Sequence, residues 1–510
     1  MHLSPARLAA AALCAATLAP TLAAACGGVF CNSGPGQPPV AQAGENIVFA
    51  PDGDQMHMIV RLTWSGPPTE FGWLMPVPPD VEAAVAPEGL FVQLDQALTP
   101  FFVLRAVFQE GCGDDGFGGM GGSPGAGGQP GAGGSAGVDV LARAPVGPYD
   151  MVVLRGDDFG AIEGWLRTND FQVPNGAAAV MQPYLEMRQA FMALKLLPGT
   201  SGGDVVPVHL TFTSPTPAIP LRPTGLAADR DMPIRVHLLG PARAVPINYL
   251  HVQIDQARVD WSTGGDNYDD VVAVAVDDAG GQAFATDFAG TFRPVAPRRL
   301  ESATLEAVAA ARTVGELRAV ADGDAVWYLI NGPDTLRVLR AALDPNAEIG
   351  ADDVLARLTC PWNGCGIPPS VDAVGLDGAA LVERLEGEIF GPWERIDALF
   401  DAHPFVTRLT TRMDMDEMTV DPVFDFNPDL DRVSAQRQAF RFFRCAPGGG
   451  WDPVRGHIEF NDGRFMGAVR SRNQAIRRRD GRVVQGAGLR GAWIVEQHYA
   501  AGQPDIVADY

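Results

Sequence analysis

The sequence predicts an α+β fold, in which a β-rich N-terminal unit is followed by mixed α/β segments in two to three domains. Residues 55–64 alternate between apolar and polar side chains, which is the period of a half-buried strand. Residues 303–320 and 334–343 are Ala-rich and amphipathic, which is typical of helices packed on a core. The chain has 510 residues, of which 46% are hydrophobic, and this is enough to bury more than one core.

The first 25 residues have the pattern of an export signal. Arg7 is followed by an apolar run from Leu8 to Leu22 and then by three alanines. The run is shorter than the roughly 20 apolar residues that a transmembrane helix needs, so the pattern favours a cleaved signal peptide over an anchor. We expect residues 1–25 to be removed and the mature protein to work in the periplasm, on the outer-membrane surface or outside the cell.

Cys26 directly follows the alanine run and leaves two interpretations of the cleavage open. Lipoprotein signals place Leu three residues before the acylated cysteine, whereas here that position is Ala23 and Leu22 lies one residue earlier. Ordinary cleavage near Ala25 is therefore favoured, and a lipid anchor on Cys26 is the alternative. In that alternative Cys31 loses its expected partner.

Six of the seven cysteines lie after the predicted signal, and an even number in an exported chain favours disulfide bonds. Six cysteines allow fifteen pairings, so the following scheme, based on close spacing and elimination, is one choice among them. The expected pairs are Cys26–Cys31, Cys360–Cys365 and Cys112–Cys445. A zinc site is the second interpretation, but the paired C-x2-C spacings that it needs are missing.

Residues 26–110 are predicted to form the β-rich unit. Alternation, turn residues and closing prolines set its elements. They are strands at 45–50, 55–64, 71–78 and 101–108, and a helix at 89–98 that Pro100 ends.

Residues 111–137 are predicted to be a disordered insertion or flexible linker. Half of them are glycine, and such a segment cannot bury enough apolar surface to offset its ordering entropy. A G-x-G-x-x-G and a G-x-S-x-G match occur here without the strand and helix that these motifs require, so both follow from composition alone.

Residues 138–300 are predicted to be α+β, and residues 301–510 to form a C-terminal α+β region. Asp157 or Asp158 is expected to cap a helix, and Lys195, the only lysine, is expected on the outward face of a strand. Residues 265–345 are expected to be more helical than the segment before them. Other predicted strands are 149–154, 191–197, 205–213, 234–239, 247–254, 406–413 and 492–495, and predicted helices are 157–168, 177–190, 381–388 and 392–400.

The net charge of −23 argues against nucleic-acid binding, which depends on basic patches that neutralise phosphates. No segment after the signal has 18 uninterrupted apolar residues, so we expect no transmembrane span in the mature chain.

Five pieces of sequence, taken together, resemble the DUF2330 family of bacterial exported proteins. They are ACGGVFC at 25–31, QAGENIVFA at 42–50, EFGWLMPVP at 70–78, VGPYD at 146–150 and FMALKL at 191–196. The resemblance covers most of residues 26–300 and implies an exported location and one family domain over this region. The family name denotes unknown function, so the resemblance implies no catalytic or cofactor-binding residue.

A loop with alternating oxygen side chains is a weak calcium candidate. Asp425, Asn427, Asp429 and Asp431 place an oxygen at every second residue, as calcium loops do. An EF-hand, however, needs Gly and Glu where this loop has Leu430 and Gln436, which favours capping of a loop instead.

The histidines carry no metal motif. None of the seven after the signal forms H-E-x-x-H or H-x-x-x-H. His57, His209, His237 and His251 lie in alternating strands and are expected on polar outward faces.

These observations leave three hypotheses. The favoured one is a non-enzymatic binding or structural protein of the envelope, whose partner is an envelope protein or a surface polymer. An exported hydrolase with an unrecognised site and a calcium-stabilised surface protein are the alternatives, and enzymatic activity is left open.

Overall fold

A computed structural model gives the fold of the chain. It describes residues 41–65, 72–108, 139–169, 171–197, 205–254, 256–360, 366–445, 451–460, 465–467, 474–477, 483–486 and 493–509. The predicted signal peptide and the glycine-rich insertion lie outside these residues.

The described strands lie in two parts of the chain, one that ends with β13 and one that begins with β14. They are β1 (Ala41–Asp52), β2 (Gln55–Ser65), β3 (Gly72–Val77), β4 (Glu82–Val85), β5 (Phe101–Phe108), β6 (Asp139–Val146), β7 (Tyr149–Arg155), β8 (Ala190–Leu196), β9 (Val208–Thr213), β10 (Met232–Gly240), β11 (Arg243–Pro246), β12 (Leu250–Ile254), β13 (Ala283–Thr291), β14 (Phe405–Met413), β15 (Phe424–Asn427), β16 (Gln436–Cys445), β17 (Trp451–Phe460), β18 (Phe465–Gly467), β19 (Gln474–Arg477), β20 (Val483–Gly486), β21 (Trp493–Gln497) and β22 (Asp505–Asp509).

The described α-helices concentrate between β13 and β14. They are α1 (Glu88–Leu98), α2 (Phe159–Thr168), α3 (Ala177–Glu186), α4 (Leu221–Thr224), α5 (Tyr268–Asp278), α6 (Ser302–Ala310), α7 (Val314–Ala319), α8 (Asp324–Ile330), α9 (Pro333–Ala342), α10 (Ala351–Leu358), α11 (Pro369–Asp372), α12 (Gly378–Leu385) and α13 (Gly391–Ala402). A π-helical turn, Glu386–Phe390, joins the last two. No helix of the described part is long and apolar enough to cross a membrane.

A ten-stranded mixed sheet forms the centre of the molecule. Its order is β22-β21-β12-β13-β14-β10-β1-β2-β9-β4, with β1 parallel to β10 and β12 parallel to β13. Both faces of its middle strands are buried: Ile47 and Phe49 of β1 enter one core, and Val48 and Ala50 enter another. This explains the nearly continuous apolar run in β1, since a strand covered on both faces has no polar side.

A smaller sheet and two helices cover one face of the large sheet. The smaller sheet has the order β3-β8-β7-β6, and its Trp73, Met75 and Met192 share a core with Ile47 and Met58 of the large sheet. Helices α2 and α3 pack on the far side of this smaller sheet.

Helices cover part of the opposite face. Val48, Ile59 and Leu239 of the large sheet share a core with Leu90 and Phe91 of α1 and with the helices from α6 to α13. The molecule is therefore layered as helix, sheet, sheet and helix, and the α+β fold class is confirmed.

Most predicted elements are confirmed, with boundaries shifted by a few residues. Asp158 caps α2, where its side chain accepts a hydrogen bond from the backbone N–H of Ala161 at 2.9 Å. The expectation that residues 265–345 are more helical is confirmed, since α5 to α9 lie there together with the strand β13. The expected outward position of Lys195 is wrong: this residue is buried, with Nζ donating to the backbone carbonyl of Asn169 at 3.2 Å.

The large sheet takes strands from both sides of the boundary predicted at residue 300. β14 lies between β13 and β10, and β21 and β22 form one end of the sheet. This arrangement brings C-terminal residues next to residues near position 250.

Candidate functional site: a histidine–glutamate cluster beside an arginine-lined cavity

Two histidines and a glutamate converge where β12 meets β21. His251 and Glu496 are register partners on these antiparallel strands, and Nδ1 of His251 lies 3.1 Å from Oε2 of Glu496. His498 follows two residues after Glu496, and its Nε2 lies 2.9 Å from the same oxygen. In extended chain, residues two apart point to the same side, which is why both reach His251.

A hydrogen-bonded chain extends the cluster to Thr286 and Arg243. Nη2 of Arg243 donates to Oγ1 of Thr286 at 3.1 Å, and this hydroxyl lies 2.9 Å from Nε2 of His251. When the hydroxyl donates to Nε2, the imidazole proton is on Nδ1 and faces Glu496. The tautomer of His251 is therefore coupled to the orientation of the Thr286 hydroxyl: when Nε2 carries the proton instead, it donates to Oγ1 and leaves the lone pair of Nδ1 facing Glu496.

The cluster is buried, and burial determines its charge. The side chains of His251 and His498 are only 4% and 2% exposed. Burial lowers the pKa of His251 to about 4. Burial alone would raise the pKa of Glu496, but hydrogen bonds from His251 and His498 lower it to about 2. At neutral pH a neutral imidazole of His251 therefore faces an ionised carboxylate.

A cavity of about 350 Å³ adjoins the cluster, and His251 and Thr286 form part of its wall. Arg243, Arg432 and Arg437 also line it, and no Asp or Glu does so among the described residues. Its other polar lining residues include Gln253, Ser434 and Gln436. The cavity thus combines guanidinium groups with neutral hydrogen-bonding groups.

The predicted calcium loop lies beside the cluster and holds the chain that follows His498. Nδ2 of Asn427 donates to the backbone carbonyls of Tyr499 and Gly502, at 2.8 and 2.9 Å. Oδ2 of Asp429 accepts from the backbone N–H of Gly502 at 2.7 Å. The buried Asn427 therefore anchors the turn after β21.

The other two residues of that loop have local contacts. Oδ1 of Asp425 accepts from the N–H of Phe426 at 2.8 Å, and the backbone carbonyl of Asp431 accepts from Nη1 of Arg243 at 3.4 Å. The structure gives the loop a hydrogen-bonding role, and calcium binding at Asp425, Asn427, Asp429 and Asp431 stays a prediction.

The expectation that the strand histidines face outward is wrong for three of the four. His209, His237 and His251 are 4%, 0% and 3% exposed, because both faces of the large sheet are covered. His57 is half-buried, and its Nδ1 lies 3.0 Å from Nε2 of His209.

The three disulfide pairs stay predictions. Cys360 and Cys445 lie within the described residues, whereas Cys26, Cys31, Cys112 and Cys365 lie outside them.

The cluster was missed in the sequence because its members lie far apart. The pair His251 and Glu496 is separated by 245 positions. The available signal was Glu496-x-His498 at the end of a predicted strand, where spacing by two places both side chains on one side. No local sequence pattern predicts that this strand pairs with the strand that contains His251.

Comparison with known proteins gives one family match. The chain matches DUF2330, described as an uncharacterized protein conserved in bacteria, over residues 20–312, which include His251 and Thr286 but not Glu496 and His498. Neither the curated proteins nor the solved structures contain a match. Since the match covers more than half of the chain, the protein belongs to the DUF2330 family.

Proposed function

We propose that the protein is exported and acts in the cell envelope or outside the cell as a non-enzymatic binding protein for an anionic group. The group is a phosphate, sulfate or carboxylate, carried by a free small molecule or by a surface polymer. The cavity beside His251 is the binding site.

The observation that carries the proposal is the set of arginines lining a cavity in an acidic protein. Arg243, Arg432 and Arg437 line one cavity of about 350 Å³, whereas the net charge of the chain is −23. Guanidinium groups bind carboxylates and phosphates through paired, charge-assisted hydrogen bonds. Nε of Arg243 is buried and has no hydrogen-bond partner in the described part of the chain.

The proposed export is supported by the first 25 residues and by the even number of cysteines after them. It is tested by expressing the full chain in a bacterial host and sequencing the N-terminus of the protein from each cell fraction. A mature chain that begins at Cys26 in the envelope or medium supports export, and an acylated Cys26 identifies the lipoprotein form. An uncleaved chain in the cytoplasm contradicts export.

Anion binding is tested by thermal melts of the mature protein with phosphate, sulfate, citrate, sugar phosphates and anionic cell-wall fragments. A ligand that binds the folded state raises the melting midpoint by mass action. We expect at least one of these anions to raise the midpoint, and neutral sugars, added as a control, to leave it unchanged. A shift with free anions indicates a small ligand, and a shift with wall fragments alone indicates a polymer.

Arg437→Gln tests the location of the site. Arg437 lines the cavity, whereas Arg155 is an exposed arginine of β7, and Arg155→Gln serves as the matched control. We expect the anion-induced shift to disappear in Arg437→Gln and to persist in the control. Equal shifts in both variants would contradict binding in this cavity.

An exported hydrolase is the second candidate, and His251 at the cavity wall is the observation that favours it. Its pKa of about 4 leaves the imidazole neutral at pH 7 and able to accept a proton, although it lies below the pKa near the working pH that suits a general base best. Turnover of a phosphate or carboxylate ester that is lost in His251→Gln would support this candidate over simple binding.

A further inference from the structure

We propose that His251, Glu496 and His498 bind one zinc ion. The ligand atoms are Nδ1 of His251, Oε2 of Glu496 and Nε2 of His498, and all three lie within 4.8 Å of one another. The cavity beside them is the access route for the ion. This inference is independent of the proposed anion binding.

The donor set suits zinc. Two imidazoles and one carboxylate are the protein ligands of one well-known type of zinc centre, in which the fourth position is left for water or substrate. Imidazole nitrogen is also a borderline-soft ligand, which favours zinc over calcium or magnesium.

The spacing of the ligand atoms requires a local rearrangement around the ion. Ligand atoms at about 2.0–2.2 Å from a tetrahedral ion lie roughly 3.3–3.5 Å apart. The two nitrogen–oxygen distances are 3.1 and 2.9 Å. The carboxylate therefore has to withdraw by a few tenths of an ångström on each side, and the two nitrogens, which lie within 4.8 Å of one another, have to reach the same spacing.

Neighbouring groups fix the positions of the two histidine rings, as they usually do in metal sites. A ligating histidine normally hydrogen-bonds through its other ring nitrogen, which fixes the ring orientation. Nε2 of His251 has this contact with Thr286, at 2.9 Å. His498 is positioned by its chain, because Asn427 and Asp429 anchor the following turn at Tyr499 and Gly502.

The competing explanation is a purely structural cluster, in which both imidazoles donate a hydrogen bond to Glu496. It leaves Nδ1 of His498, which is buried, without a hydrogen-bond partner in the described part of the chain. In the zinc-bound form this nitrogen carries the ring proton, because Nε2 is bound to the ion. The two explanations differ in what the stripped protein does when zinc is added.

The experiment is a zinc titration of the untagged mature protein, stripped with a chelator and kept under non-reducing conditions so that any disulfides stay intact. We expect calorimetry to show one zinc ion bound per chain. Cobalt should bind at the same site and give the visible absorption bands of a tetrahedral complex. An excess of calcium should leave the zinc affinity of this site unchanged, because imidazole ligands favour zinc over calcium.

Four variants locate the site. Changes to groups that only orient a metal ligand lower metal affinity by about 10- to 100-fold. Loss of a ligand itself should cost at least as much, so His498→Gln and His251→Gln should each weaken zinc binding by at least about 100-fold. His457 lies on β17 in another sheet, and His457→Gln is the matched control, with unchanged affinity expected. His209→Gln tests the His57–His209 pair as a competing zinc site.

Two outcomes would overturn the proposal. The first is a stripped wild-type protein that binds no zinc while its circular dichroism and melting curve show that it is folded. The second is zinc binding that survives His498→Gln, or that is lost only in His209→Gln. If a histidine variant fails to fold, Glu496→Gln, which keeps the size and a hydrogen-bond acceptor, gives the same test.

Discussion

At the scale of single residues, the large sheet contains a buried ion pair between β14 and β13. The side chains of Arg408 and Asp287 are each 2% exposed, and Nε of Arg408 lies 3.2 Å from Oδ2 of Asp287. Asp287 also accepts a hydrogen bond from the hydroxyl of Tyr268 at 2.8 Å. Despite these partners, burial raises the pKa of Asp287. The stability of this buried site therefore depends on the presence of both Arg408 and Asp287.

Arg408→Met should destabilise the protein strongly. It leaves the carboxylate of Asp287 buried without its cation, and breaking a buried pair in this way costs about 3–5 kcal/mol. Urea unfolding of the variant and wild type measures the difference. Arg293→Met is the matched control, because Arg293 pairs with Asp401 on the surface, and its loss should change the free energy of unfolding by less than about 1 kcal/mol. Similar losses in both variants would contradict a special role for the buried pair.

Glu45 is a second buried carboxylate, and it has no cation partner among its hydrogen bonds. Its Oε2 accepts from Gln42 at 3.2 Å and from Thr224 at 3.4 Å. Burial raises its pKa from 4.5 to about 7, and the two hydrogen bonds only partly oppose this. The folded state therefore holds the proton more tightly than the unfolded state.

The sign of this shift predicts a pH dependence. The contribution of Glu45 to stability is fully present below pH 4.5 and is lost as the pH rises through 7. A shift of this size corresponds to about 3 kcal/mol. Glu45→Gln removes the titration, so the stability of the variant relative to wild type should rise by about that amount between pH 4 and pH 8.

Urea unfolding at pH 4, 6 and 8 measures this difference. Glu82→Gln removes an exposed carboxylate of β4 and should change stability by less than about 0.5 kcal/mol at every pH. A pH-independent difference between Glu45→Gln and wild type would show that Glu45 ionises normally in the folded protein.

At the scale of elements, the helical layer depends on one close approach between α6 and α12. A Cβ atom on Gly378, the first residue of α12, would lie 2.0 Å from the carbonyl oxygen of Val308 and 2.7 Å from that of Ala311. Both are backbone atoms, so no side-chain rotation relieves the contact. The absence of a side chain at Gly378 therefore lets the two helices approach.

Two Gly→Ala changes in helices should have opposite effects. Gly378→Ala should destabilise the protein by about 1–3 kcal/mol, because it overpacks a rigid contact. Gly164 is exposed in α2, and a Cβ atom added there would meet no neighbouring atom within 4 Å, so Gly164→Ala should stabilise by up to about 1 kcal/mol through helix propensity. The urea midpoints of the two variants, compared with that of the wild type, measure both changes in stability. Effects of the same sign would contradict the close approach as the reason for Gly378.

At the scale of the whole molecule, the large sheet joins distant parts of the chain. β14 hydrogen-bonds to β10 on one side and to β13 on the other, although more than 110 residues separate it from β13. The family match ends at residue 312, before β14 begins. The matched region alone therefore lacks a central strand of its own sheet.

A chain of residues 26–312 should fail to fold cooperatively. Without β14, the edges of β10 and β13 are unpaired and the buried faces of both strands lose their neighbours. Thermal melts followed by near-UV circular dichroism should show no sharp transition. A chain that lacks only residues 493–509 loses edge strands and should still melt cooperatively, at a lower temperature. Cooperative melting of residues 26–312 would contradict this dependence.

Much of the local structure could be predicted from the sequence. Alternation located β2, the pair Asp157 and Asp158 marked the start of α2, and the amphipathic stretches located α6, α7 and α9. These signals are local: side-chain period and capping depend on residues a few positions apart. The mixture of strand and helix patterns along the chain likewise predicted the α+β class, since fold class follows from the order of the elements.

Only the tertiary structure decided which surfaces meet. The burial of His237 and Lys195 depends on layers contributed by remote segments, and local alternation cannot distinguish a covered polar position from a solvated one. The cluster of His251, Glu496 and His498 exists because β21 returns to pair with β12. Strand pairing is fixed by packing over the whole chain, so the sequence supplied the side chains of this site, and the fold alone brought them together.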